Sequence, residues 1–365
     1  MADYSEDYRD YERWNPYGDP SPFDVSTELV DGCSVCDKDG LIRCAGCRVV
    51  HYCRRVHQYA HRKQHKSVCL KIKKAQEACD KEEAELRAGP NGPPGWGNPL
   101  EDRWPRLFWG IHPMRQYLSA RFAVVELQMK INTRAAVQAA LDNIIDMLRL
   151  RRGDDMWLRD IAPGLFLRLD RDQACYDFVK WWTWRFDQRP KDIEGMGGSY
   201  TDIKNADMFE APDLFINTAL PLLTPLLAVT LLKIRRLIDL QAIQRVKLEA
   251  GPYVPQEIQD LITAHAVSPV VAANRNIFQR QDHVPKIEEL KRQIRRLYDR
   301  VLEANKYVWP AMVRPGNHLT ATPRYAGTGT IQEMQTNLPY IYNAWSETPG
   351  AIGVIEELQK CTVKS

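Results

Sequence analysis

The chain has 365 residues, 44% hydrophobic and 27% charged, with a formal net charge of +3. That apolar share, with 10 Trp and 15 Tyr, excludes a wholly disordered chain and can fill a sizeable core. Nine Cys are too sparse for a disulfide scaffold, and six of them fall between Cys33 and Cys69, so metal ligation is the expected use.

Residues 1–30 are acidic and aromatic without helical or strand periodicity, and read as a flexible acidic tail. They hold no apolar run of the kind that opens a secretory signal. Residues 1–31 carry nine acids against two bases, formally −7, whereas residues 32–74 carry eleven Lys and Arg against two Asp, formally +9. Six thiolates and two Zn²⁺ would make the second figure +7. Such a field raises a nucleic-acid question, but a solvated basic face with the acidic tail as a neutralising neighbour is the favoured reading. The Cys/His cluster and the helix formers from Leu70 to Ala88 make a unit over residues 31–88. Residues 89–104 are rich in Pro and Gly and read as a linker, because Pro blocks helix continuation and Gly lowers order.

Residues 105–365 carry helical stripes and predict an all-α helical-hairpin domain, packed as a bundle or short solenoid. Leu118, Phe122, Val125 and Met129 make one stripe; Val137, Leu141, Ile144 and Leu148 make a second. The short connection from Lys130 to Thr133 predicts that these two helices are antiparallel neighbours. A third stripe, Leu158, Ile161, Leu165 and Leu169, is expected to kink or split at Pro163-Gly164. Cys175, Phe178, Trp182 and Phe186 form a fourth. Long helices are expected near 225–249 and 285–307, the latter with Ile287, Leu290, Ile294, Leu297 and Val301 on one face. Ile331, Met334, Leu338 and Ile341 precede a final helix capped by Thr348 with Pro349 behind it. Trp309 to Gly329 reads as a long ordered loop. The longest uncharged apolar run, Ala219 to Leu232, is too short to span a bilayer, so no membrane partner is expected.

The chemistry lies in Cys33-x2-Cys36-x7-Cys44-x2-Cys47-x5-Cys53-x3-His57-x7-His65-x3-Cys69. Each Cys-x-x-Cys can turn both sulfurs toward one ion. Cys53/His57 and His65/Cys69 each stand one helical turn apart. Zn²⁺ takes four such ligands in a tetrahedron, so eight make two closed sites with no open coordination position, structural rather than catalytic. Spacing alone allows sequential or interleaved pairing. His61 lies one turn from both His57 and His65 and could ligate in place of either. His51 reads as a hairpin surface residue. Redox chemistry at a Cys-x-x-Cys would need a strand–helix context that is absent here. Cys79 and Cys175 are expected to be free thiols.

This ligand order, with Tyr52-Cys53-Arg54-Arg55-Val56-His57-Gln58 and His65-Lys66-x-x-Cys69, resembles the MYND-type zinc finger over residues 33–69. The resemblance implies a small two-zinc cross-brace with interleaved ligation. One Zn²⁺ would take Cys33, Cys36, Cys53 and His57, and the other Cys44, Cys47, His65 and Cys69. His57 stands where the family usually has Cys, which imidazole can replace. Arg54, Arg55, Arg62 and Lys66 would offset the net negative charge of the sites. MYND fingers are interaction modules, many of which bind proline-rich peptides beside the second zinc. Gln58 falls at the Gln of that peptide-binding motif, but Arg62 stands at the family's Trp. The implied partner is therefore a protein or peptide, with proline-rich sequences as one class. Pro221-Leu222-Leu223-Thr224-Pro225 fits such a ligand within the chain itself. The runs Leu107 to Ile111 and Asp177 to Trp182 are similar to helical regions that follow MYND fingers in uncharacterised fungal proteins, which implies no activity.

No enzyme is expected. Thirty-two residues before Cys33 leave no room for the first part of a SET methyltransferase, and no G-x-S-x-G, P-loop or Rossmann fingerprint appears. His112, His265, His283 and His318 are isolated, and His265 reads as a core histidine beside Ile258, Leu261 and Ile262. Asp154-Asp155 reads as a helix cap. Arg292, Arg295, Arg296 and Arg300 read as a solvated face. The expected function is a zinc-binding adaptor or scaffold, cytoplasmic and/or nuclear. The alternative is a nucleic-acid- or chromatin-associated transcriptional regulator using the basic finger. Among its aromatics only Tyr52 and Tyr59 could stack on bases, which makes nucleic acid the weaker partner.

Overall fold

A computed structural model describes residues 29–36, 38–88, 100, 112–151, 153–154, 156–188, 202–219, 221–251, 254–278, 280 and 282–363. The acidic tail up to Glu28, the linker apart from Leu100, and the run Leu107 to Ile111 lie outside them. Among the described residues the chain forms thirteen α-helices, three 3₁₀ turns and one two-stranded sheet. No helix there is long and apolar enough to cross a membrane. The chain divides into two compact units, at Leu158 and Arg159.

The first unit begins with a hairpin of β1 (Ile42–Arg43) and β2 (His51–Tyr52), antiparallel with Ile42 opposite Tyr52. Helix α1 (Arg55–Ala88) follows directly and runs for 34 residues, about 50 Å at 1.5 Å per residue. Its buried residues are His65, Ile72, Cys79 and Leu86, a seven-residue spacing that keeps a narrow seam in line along the helix. The seam packs on α2 (His112–Met129), which turns back on α3 (Arg134–Leu150). The two stripes read from the sequence are buried throughout. Thr133 caps α3, its hydroxyl accepting from the Ala136 N–H at 3.2 Å.

This arrangement corrects the expected boundary. The finger's trailing helix, α2 and α3 belong to one unit, so the Pro/Gly stretch is not the division between compact units. The cause is the seam on α1, whose apolar side chains need a partner that the finger alone lacks.

The second unit is built on α7 (Leu223–Ala250), after α4 (Ala162–Arg168), α5 (Asp172–Gln188) and α6 (Asp213–Ile216). Every α7 residue from Leu223 to Leu237 is buried; the apolar ones pack on all sides of the helix, and Lys233, Arg235 and Arg236 among them are held by buried hydrogen bonds. Around it stand α4, α5, α10 (Val284–Ala304), α12 (Ile331–Ser346) and α13 (Ala351–Val363). Helices α8 (Gln256–Ala264), α9 (Pro269–Ala272) and α11 (Val308–Val313) complete the unit. Pro225 and Thr224 lie buried in the first turn of α7, so the P-x-L-x-P segment is part of the core and cannot serve as an extended ligand.

The third stripe is split as expected: Leu158–Asp160 form a 3₁₀ turn and α4 begins afresh at Ala162 with Pro163 in its first turn, while a Cβ on Gly164 would stand 2.0 Å from the Tyr340 carbonyl oxygen, so this glycine permits a backbone-to-backbone contact with α12. Three further expectations change. Thr348 does not cap α13; its hydroxyl donates to the Ala344 carbonyl at 2.7 Å and accepts from Arg235. The segment after Trp309 is partly helical, and Trp309 is buried, stacked on Tyr298 at 5.3 Å. His265 is exposed, because α8 buries none of its residues. Asp154 does act as a local cap, accepting from the Leu158 N–H at 2.7 Å. The four arginines of α10 are each paired: Arg292 with Glu289, Arg295 with Asp299, Arg296 with Asp213 and Arg300 with Glu303. The side chain of Phe186 lies outside the description.

Candidate metal centre

The β-hairpin and the start of α1 bring all eight sequence-predicted ligands together, in two groups. Cys33, Cys36, Cys53 and His57 form one; Cys44, Cys47, His65 and Cys69 form the other. The pairing is therefore interleaved rather than sequential. In each group the ligand atoms lie within 4.8 Å of one another. In the first, Cys33 Sγ and Cys53 Sγ stand 3.4 and 3.3 Å from His57 Nδ1, and Cys36 Sγ 3.5 Å from Cys53 Sγ. In the second, Cys44 Sγ is 3.6 Å from Cys69 Sγ, and Cys47 Sγ is 3.4 Å from His65 Nε2. Sulfurs ~2.3 Å from a tetrahedral Zn²⁺ stand ~3.8 Å from each other. The observed edges fit two such ions and are far too long for S–S bonds.

Local sequence explains each knuckle. The N–H of Cys36 donates to the Cys33 carbonyl at 3.2 Å and that of Arg48 to the Cys44 carbonyl at 3.0 Å, closing the two turns. Gly46 is essential to the second: a Cβ there would stand 2.6 Å from Cys69 Sγ. Gly40 plays the same part behind the hairpin, its would-be Cβ 2.5 Å from His51 Cβ. His51 itself pairs through its backbone, its carbonyl accepting from Ser34 at 3.0 Å.

Electrostatics suit metal binding. Burial acts against a Cys33 thiolate, but N–H groups of Cys53, Val35 and Cys36 and the His57 ring outweigh it and bring the thiol down to about 6. Burial pushes Cys47 up to about 12 and Cys53 to about 11, so those thiols need the ion's own charge to ionise. Burial lowers His65, leaving the neutral imidazole that a metal requires. Arg54 stands against His57, placing positive charge beside a tetrad of three thiolates.

His61 belongs to neither tetrad. Its Nδ1 is 3.1 Å from the hydroxyl of buried Tyr52, and its ring stacks on His65 at 5.5 Å. It supports a ligand instead of supplying one. Thr133, which sequence reasoning missed, ties the finger to the hairpin of α2 and α3: its hydroxyl donates to the Val49 carbonyl at 2.6 Å. Backbone bonds from Val30 to Asn132 and from Arg134 to Val30 flank it. Ile131 and Ala136 continue the apolar core formed by Cys33, Val49, Val50, Tyr52 and Ile72.

In comparison with known proteins, the MYND finger family matches residues 33–69. These residues are a MYND finger, a zinc-binding protein-interaction module that holds two Zn²⁺. Neither the curated proteins nor the solved structures include a match to the chain.

Proposed function

We propose that the chain is a non-catalytic adaptor that captures a protein or peptide on the outer face of its MYND finger. The observation that carries this reading is an exposed apolar strip on the first turns of α1: Val56 is 66% and Tyr59 69% exposed, beside half-buried Gln58 and exposed Arg62. An exposed aromatic next to polar donors suits an extended or proline-rich peptide, which docks on aromatic surfaces with its backbone preformed. Both tetrads use four protein donors, which leaves no position for a bound water or substrate and supports a structural role for the metal. The inner face of the finger is built into the hairpin of α2 and α3, so the module is held rigid while its outer face stays free. All nine cysteines are free of disulfides, which supports a reducing compartment, cytoplasmic or nuclear.

The nucleic-acid alternative loses support because Tyr52 is fully buried, leaving Tyr59 as the aromatic of the basic strip able to stack on a base. The test is capture from a proline-rich peptide array by the zinc-loaded full chain, compared with Tyr59→Ala. Loss of capture with two Zn²⁺ retained is the expected result. Equal capture by Tyr59→Ala, or none by the unaltered chain, removes this reading.

A further inference from the structure

Helix α1 carries its charge in an order that works against its own dipole. From Arg55 to Gln76 it holds seven Lys and Arg and no acid, and Glu77 opens an acidic second half. The start of a helix is its positive end and favours acids, so this order costs helix stability. Arg55, Arg62, Lys66 and Lys73 follow one another at spacings of seven, four and seven residues, which sets them in one line along the helix. Lys63 and Lys74 flank the line, and all six are exposed. Tyr59, also exposed, stands one turn from Arg55, Arg62 and Lys63. The buried seam of His65, Ile72, Cys79 and Leu86 occupies the other side. Lys73 pairs with Glu77 at 3.6 Å, and among the described residues the other five bases take part in no ion pair. Like charges one turn apart, as in Arg62 and Lys66, repel, so the strip gains from an acidic partner.

The chain holds such a partner in its own sequence. Residues 1–28 carry eight Asp and Glu against two Arg, a formal −6, opposite the +7 of residues 32–74 with both Zn²⁺ bound. Tyr4, Tyr8, Tyr11, Trp14 and Tyr17 stand among those acids, and aromatic faces stack on guanidiniums such as those of Arg55 and Arg62. The tether is short. Val30 is fixed on the turn between α2 and α3, its N–H donating to the Asn132 carbonyl at 3.1 Å. Cys33 Sγ stands 3.4 Å from His57 Nδ1, in the first turn of α1. The segment therefore joins the finger beside the start of the strip, on the seam side. Passing half-way round a helix roughly 10–12 Å across takes about six extended residues. Residues 1–22 then remain for a strip about 29 Å long from Arg55 to Lys74.

We propose that residues 1–28 dock in cis along this strip, their acids on its Lys and Arg and their aromatics beside Tyr59. Each exposed ion pair is weak, but a short tether gives an effective concentration on the order of 1 mM. Even a dissociation constant of about 0.5 mM then leaves the strip covered roughly two-thirds of the time. The docked segment, with Pro16, Pro20 and Pro22, lies over Tyr59 and Arg62 and is a built-in competitor for the capture face. That consequence rests on the capture reading; the docking does not.

The experiment is lysine acylation of the zinc-loaded full chain, read residue by residue by mass spectrometry. It is run beside a variant in which every Asp of residues 1–28 becomes Asn and every Glu becomes Gln. The variant alters no described residue, and zinc content and circular dichroism check that its fold is kept. Lys63, Lys66 and Lys74 should react roughly three-fold faster in the variant, since the strip of the unaltered chain is open about one-third of the time. Exposed Lys38, outside the strip, should not change. Raising the salt from about 0.05 M to about 1 M should bring the unaltered chain to the variant's rates. Carbodiimide coupling of mixed ordinary and isotopically heavy chains should join carboxylates of residues 1–28 to strip lysines within one chain. Equal rates in chain and variant, or the same acceleration at Lys38 as at Lys66, overturns the docking. Couplings between light and heavy chains as frequent as those within a chain assign the strip to a second copy and overturn the cis reading. Failure of outside peptides to bind leaves these readouts unmoved, so the two readings fail separately.

Discussion

Thr133→Val is the sharpest test of how the finger is held. The substitution keeps the branched shape and removes one oxygen that serves two buried partners, the Val49 carbonyl at 2.6 Å and the Ala136 N–H at 3.2 Å. Loss of an N-cap costs ~1 kcal/mol. An unpaired buried carbonyl costs ~1–3 kcal/mol. The two share one atom and are not strictly additive, so a loss of about 2–4 kcal/mol is expected. Thr133→Ser keeps both bonds and loses one methyl, ~1 kcal/mol or less. Native-state amide exchange resolves the effect locally. A loss of ~2 kcal/mol makes exchange at α3 and β2 amides roughly thirty-fold faster in the valine variant. Zinc transfer to a chromogenic chelator should quicken in parallel, since Val49 lies between Cys47 and Cys53. Equal exchange in the valine and serine variants would refute the bridging role.

Removing both metals should accelerate amide exchange across residues 112–150 as well as 33–69, because Ile131 and Ala136 share the finger's core; exchange unchanged in α2 and α3 would mean that the hairpin stands alone. Cys44→Ser should lower metal content below two per chain, whereas His61→Ala should retain two and lose about 1 kcal/mol through its bond to Tyr52, as read by elemental analysis and urea denaturation. Zinc loss in His61→Ala would show the ligand set to be wrong. In the second unit, burial first and then Arg236 bring the Lys233 ammonium down from 10.5 to about 7. Between those values the unfolded chain binds the extra proton, so stability rises with pH from 7 to 10, by at most ~1.4 kcal/mol per pH unit. Lys233→Met should flatten that slope in urea midpoints measured against pH; parallel slopes would refute it.

Legibility in the sequence followed the range of the interaction. The eight ligands were readable because a metal imposes fixed spacings on residues of few types, and the stripes on α2, α3 and α10 because 3.6-residue periodicity is local. What governs the rest lies far along the chain. Gly46 looks like an ordinary turn glycine until Cys69 Sγ is placed over it. Gly164 beside Pro163 suggests a kink, yet its reason is the Tyr340 carbonyl of another helix. Lys233 and Arg235 look like a break in an apolar face, but they are buried on the carbonyls of Met208 and Glu210 and on Asp172. The seam of Ile72, Cys79 and Leu86 is thin among the lysines and glutamates of α1, which hid the packing that joins the finger to its hairpin. His265 was misplaced because an amphipathic pattern on α8 signals a buried face only where a partner covers it.

The overlapping ligand sets make the two metals a single latch. One metal joins Cys33 to His57, 24 residues on, and the other joins Cys44 to Cys69, 25 residues on. Each span begins or ends inside the other, so the first ion to bind has already shortened the loop that the second must close. Entropy lost in closing that loop is spent once and shared, which amounts to a favourable coupling free energy between the sites. The coupling is modest, since each halving of the loop to be closed is worth only about 0.6 kcal/mol, roughly a three-fold bias toward the doubly loaded chain. Loading one site therefore favours loading of the other, and the fold of the finger follows the metal.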